Sequence, residues 1–128
     1  MAEQSRPDVE LRVPADSAYV SVLRTTTAGL AARLDFTLDD IEDLRIAVGE
    51  ACATVLAEGR TDGDLFALFH LGERSLDVTV RADADHPKEP DQSGFAWQVL
   101  TALTTHASAA VSEDSIEITL SMTSTLTD

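Results

Sequence analysis

Positive charge is scarce in this chain, and so are the residues that carry redox or metal chemistry. Lysine and arginine number 9 against 23 aspartates and glutamates, a formal charge of −14 at pH 7. A field of that sign repels phosphate backbones, which argues against nucleic acid as a partner and is compatible with a basic protein instead. The single cysteine, Cys52, has no partner for a disulfide. It lies mid-helix beside an apolar stripe with no histidine near in sequence, so it reads as a small core hydrophobe, not a nucleophile. The histidines His70, His86 and His106 fall at no metal-ligand spacing. No apolar run approaches the ~18 residues that a membrane span requires. The opening MAEQSRPDVE lacks the apolar stretch of a signal peptide, and the chain is expected to be cytoplasmic, with no membrane partner. What remains is a length of 128 residues at 44% hydrophobic content, enough for one domain with its own core.

Taken in order, residues 1–8 are polar and are expected to be flexible, 9–122 form the domain, and 123–128 are expected to be a flexible tail. Val9, Leu11 and Val13 alternate with charged neighbours, a half-buried strand closed by Pro14. Asp16 or Ser17 caps a helix whose inner face is Val20, Leu23, Thr27, Leu30 and Leu34, with Arg24 just off that face. The stretch TLDDIEDLRIAVGEACATVLAEG, residues 37–59, predicts the central helix. Ile41, Leu44, Val48, Ala51 and Val55 recur at helical steps, Thr37 and Asp40 approach a capping box, and Gly59 marks the exit. Leu65–Leu71, a turn at Gly72–Arg74, and the alternating Leu76, Val78 and Val80 predict a β-hairpin. Ala82–Ser93 reads as a loop. A last helix follows over Phe95–Thr105, on which Trp97 packs inward, and then a strand through Ile116, Ile118, Leu120 and Met122. The order strand, helix, helix, strand, strand, helix, strand predicts an α/β two-layer sandwich: one four-stranded mixed sheet covered on one face by three helices.

Glu50 and Thr54 are four apart on the central helix and share a face beside its apolar stripe. A carboxylate there is placed either at the edge of a cleft or as a solvated boundary residue. Together with the strand–loop VTVRADAD and the helix start SGFAWQVL, the segment GEACATVL resembles the GHKL ATPase fold. More narrowly, the chain from Leu11 to about Met122 resembles the anti-sigma factor and serine protein kinase family that regulates sporulation and general-stress sigma factors, in its actinobacterial branch.

That resemblance implies roles for particular residues. Glu50 matches the general base that deprotonates an attacking hydroxyl. Thr54 stands where an asparagine holds Mg²⁺. Ala82 replaces the adenine-binding aspartate in an ungapped reading, with Ala84 and His86 at the glycines, and a slip of one residue brings Asp83 to that position and Asp85 to a glycine. Gly94 keeps one glycine of the phosphate cradle, while Ala96 replaces the other and Trp97 follows. The lid, Asp85–Ser93, is short, with Lys88 as its only lysine or arginine. ATP and Mg²⁺ are therefore expected as cofactors only if this site functions, and the reading leans to a degenerate one. Ungapped alignment puts Arg24 at the family's sigma-contacting arginine. The resemblance further implies a sigma factor and an anti-anti-sigma factor as partners, and a homodimer formed through the sheet and first-helix region. Two functions follow: sequestration of a sigma factor, or phosphorylation of the antagonist by a serine/threonine protein kinase.

Overall fold

The computed structural model describes residues 6–126; the expectations for residues 1–5 and 127–128 lie outside them. Strand β1 (Val9–Pro14) leads through a 3₁₀ turn (Ser17–Tyr19) into α1 (Val20–Arg33) and α2 (Leu38–Glu58). The hairpin β2 (Asp64–Gly72) and β3 (Ser75–Asp83) follows, then α3 (Phe95–Leu103), β4 (His106–Val111) and β5 (Ser115–Thr123). Asp16 caps the 3₁₀ turn rather than α1: its Oδ1 accepts from the Ala18 amide at 2.9 Å.

The sheet has five strands in the order β1-β2-β3-β5-β4, and every pairing is antiparallel, not the four-stranded mixed sheet expected from the pattern. The added strand, β4, reads HASAAV. Its inward positions are Ala107, Ala109 and Val111, and alanine contributes too little hydrophobic contrast to register as alternation. The change of sense follows from the same strand. A helical crossover from β3 straight into its neighbour would make that neighbour parallel. Here the crossover through α3 delivers β4, and the β4–β5 hairpin reverses the chain once more before β5 pairs with β3.

One face of the sheet carries Leu65, Ala67, Phe69, Leu76, Val78, Val80, Ala82, Ile116, Ile118 and Leu120, all fully buried. Against it packs α2 through Leu44, Ala47, Val48, Ala51, Cys52 and Val55, with α1 and α3 on either flank of α2. On the opposite face Phe66 and Leu68 are half-buried, the Arg81 guanidinium sits 4.5 Å over the Phe66 ring, and the Thr79 and Thr119 hydroxyls lie 2.9 Å apart.

The start of α2 is a complete capping box. The Asp40 amide donates to Thr37 Oγ1 at 3.1 Å, and the Thr37 amide to Asp40 Oδ2 at 3.4 Å. Asp40 Oδ2 also accepts from the amide and the hydroxyl of Thr125, at 2.9 and 2.8 Å. Ser124 Oγ donates to the Asp35 carbonyl at 2.9 Å. Residues 124 and 125, which the sequence places in a loose tail, thus clasp the α1–α2 connection. At the far end of α2, Gly59 has φ −81, an extended conformation open to any residue. Its small size is needed for another reason: a Cβ there would lie 3.2 Å from Ala82 Cβ and from the Val55 carbonyl.

Candidate functional site

Gly49 and Glu50 are consecutive, so they lie about 100° apart around α2 and face different flanks. Arg24, from α1, lies over Gly49: its Cδ is 3.6 Å from where a Cβ of residue 49 would sit. It is half-buried rather than on the exposed side of the helix, and its Nε is buried without a hydrogen-bond partner among the described residues. Its charge reaches Cys52, but burial dominates there and pushes the thiol up to about 12, well out of the nucleophilic range.

Glu50 and Thr54 are both half-buried on the other flank. Thr54 Oγ1 donates to the Glu50 main-chain carbonyl at 2.9 Å, which turns the hydroxyl back along its own helix. Beyond them, Glu58 Oε1 accepts from the Lys88 amide at 2.9 Å, tying the loop between β3 and α3 to the end of α2.

That loop is strapped at further points. The Ala84 and His86 amides donate to the carbonyls of Asp114 and Glu113 at 3.0 and 2.8 Å, and Gly59 bridges Ala84. Arg60 pairs with Asp62 at 3.1 Å and approaches Asp85 at 3.9 Å; the hydrogen bond to Asp62 raises the guanidinium pKa further.

The strand geometry sends Ala82 and Asp83 to opposite faces. Successive residues of a strand point to opposite faces. Ala82 is fully buried on the helix side, so Asp83 faces the other way. Its Oδ2 accepts from the Asp64 amide at 2.9 Å, which closes the turn before β2. The residue on the side facing α2 is therefore the alanine, and the carboxylate is engaged elsewhere.

Gly94 is the N-cap of α3, with φ −83. A Cβ at this position would meet the Asp91 carbonyl and Oδ2, each at 3.3 Å. Asp91 is a residue that the sequence reading overlooked. Its Oδ1 accepts from Ser93 Oγ at 2.6 Å and from the Ser93 amide at 3.0 Å, and these bonds hold its carboxyl below the usual carboxylate range. The segment DQSG just before an apolar helical run is the signal that finds it, since Asp readily accepts from a backbone amide two residues on. An ionised carboxylate thus stands in the turn just before α3. Trp97, one turn in, is buried in the core.

At the positions the resemblance implies for Mg-ATP the chain thus offers the Thr54 hydroxyl, the buried Ala82 and, before α3, the Asp91 carboxylate. Among the described residues no group of three His, Cys, Asp or Glu side chains is placed to hold a metal ion. A groove of about 470 Å³ lies elsewhere, at the exit of α2, lined by Pro14, Asp16, Ser17, Leu56, Gly59 and Arg60 among others, and Glu50, Thr54, Asp83 and Gly94 are not part of it. No helix among the described residues is long and apolar enough to cross a membrane.

No protein-family model matches the chain. It is 45% identical over 73 residues to the serine-protein kinase RsbW of Halalkalibacterium halodurans, a match covering 56% of this chain and 45% of that protein. It is 39% identical over 80 residues to the serine-protein kinase RsbW of Bacillus velezensis, covering 60% and 50%. The chain spans about half the length of the relatives it matches. A crystal structure of the RsbU and RsbW domains of a Mycobacterium tuberculosis protein superposes with a TM-score of 0.65 at 19% identity, over 92% of this chain and 33% of that one, a likeness of fold. The chain is thus similar in sequence to RsbW serine-protein kinases over somewhat more than half its length, and similar in fold to a structure that contains an RsbW domain.

Proposed function

We propose that this chain is an anti-sigma factor that sequesters an alternative sigma factor of the stress or sporulation type and releases it when an anti-anti-sigma protein competes. The observation that carries this reading is what stands at the positions the resemblance implies for Mg-ATP. Thr54, Ala82 and the Asp91 carboxylate each remove or oppose a contact to Mg-ATP, while the scaffold around them is intact. Each lost charged hydrogen bond costs on the order of 1–3 kcal/mol of binding, and the losses fall together.

Arg24 supports a partner-binding role from the other flank of α2. A buried guanidinium N–H without an acceptor is unfavourable in the free chain, and a carbonyl or carboxylate from a partner would satisfy it. The −14 charge suits a basic sigma factor. A homodimer is part of the same reading, with the half-buried Phe66 and Leu68 on the open sheet face available to a second copy.

The second reading is a working serine kinase that phosphorylates the antagonist. The retention of Glu50 and the name carried by the relatives favour it. Calorimetric titration with Mg-ATP separates the two. Sequestration alone predicts no saturable heat at millimolar nucleotide; affinity in the micromolar range would favour the kinase instead. Co-purification with a sigma factor should be strong for the wild type and lost in Arg24→Glu. Equal capture by the two would remove Arg24 from the interface.

A further inference from the structure

The two edges of the sheet are treated differently. At one edge β1 carries Glu10 and Arg12 on its exposed positions and ends in Pro14, features that discourage another strand from pairing. At the other, β4 reads HASAAV: it has no lysine, arginine, acid or proline.

The register shows which groups this edge offers. Ser112 donates to the Ser115 carbonyl at 2.9 Å at the closed end of the hairpin. In an antiparallel ladder, exchange with the neighbour occurs at every second residue. Ala110, Ser108 and His106 therefore bond to β5, and the amides and carbonyls of Ala107, Ala109 and Val111 point away from the sheet. Among the described residues no other main-chain group bonds to these. The small side chains from Ala107 to Ala110 keep both faces of the strand low between His106 and Val111. Beyond Val111 the turn exposes Glu113 and Asp114.

We propose that the outer edge of β4 is a docking strand for an extended, basic segment of another protein, which adds to the sheet by main-chain hydrogen bonds. Charge selects the occupant. Lysine or arginine at the end of an incoming strand meets Glu113 and Asp114, whereas the β4 of a second copy, HASAAV, would bring neither. This surface includes neither Arg24 nor Glu50, and the proposal does not depend on the sequestration reading.

The probe is a synthetic peptide of alternating threonine and valine capped with lysine at both ends, titrated into the full chain. Saturable binding is expected, weakened about tenfold or more by Ala109→Pro, which removes an outward amide without breaking a ladder bond. The same peptide N-methylated at alternate amides should lose binding, and glutamate in place of its lysines should weaken it. The N-methylated peptide decides the matter even if Ala109→Pro fails to fold, because it leaves the protein untouched. Absence of saturable binding, or equal binding of the N-methylated peptide, overturns the proposal. So does sedimentation showing a dimer of the wild type that Ala109→Pro dissolves, since the edge would then serve a second copy.

Discussion

Asp40 joins the two ends of the domain at a single carboxylate. Burial alone would push its pKa up, but the hydrogen bonds from the Thr125 amide and hydroxyl and from Thr37 outweigh it and hold the carboxyl below its ordinary value. The unfolded chain therefore binds the proton more readily than the folded one. It follows that this group stabilises the fold above its unfolded pKa of about 3.9, and the stabilisation is lost as pH falls through the folded value. Asp40→Ala should lower stability by roughly 1–3 kcal/mol at neutral pH through loss of the cap and of the Thr125 clasp. Urea denaturation at a series of pH values checks the sign: the gap between wild type and variant should be widest at neutral pH and narrow below about pH 4. A gap that widened on acidification would contradict it. Thr37 and Asp40 are legible in the sequence because a capping box is local. Thr125, 85 residues from Asp40, has no local signal at all.

At the scale of elements, the glycines separate into those that need to be small and those that do not. Gly29 lies inside α1, and a Cβ there would meet nothing within 4 Å. Gly29→Ala should therefore stabilise by about 0.5–1 kcal/mol, since alanine has less chain entropy to lose in a helix. Gly59→Ala should go the other way, because its Cβ would crowd Ala82, the Val55 carbonyl and the Asp83 carbonyl, all at 3.2–3.3 Å. Thermal melts of the two variants should bracket the wild type. The helices were readable because their apolar positions recur within a turn or two, as Leu44, Val48, Ala51 and Val55 do on α2. Strand β4 was not: Ala107 and Ala109 pack against the core without announcing themselves. Missing that strand also reversed the expected sense of β5, because one hairpin more or less flips the direction in which the chain next crosses the sheet.

For the molecule as a whole, the excess of acid sets how the fold responds to its surroundings. Salt bridges such as Arg12–Asp64, 3.5 Å apart and largely exposed, and Arg45–Glu42 neutralise only part of that charge. Mutual repulsion should thus limit stability at low ionic strength. Raising NaCl from about 0.02 to 0.5 M should raise Tm by a few degrees as the Debye length contracts. A fall in Tm over that range would mean that the exposed ion pairs outweigh the repulsion.

Composition and periodicity by themselves determined the acidic surface, the three main helices, the β2–β3 hairpin, the last strand and the shared face of Glu50 and Thr54, because each depends on neighbours within a few positions along the chain. Only the tertiary structure decided that the sheet is antiparallel with five strands, that Ala82 and not Asp83 faces α2, that Arg24 lies half-buried over Gly49, and that Asp91 charges the start of α3. Asp83 bonds across 19 residues and Ser124 across 89. Contacts of that span exist only once strands have chosen their partners and register.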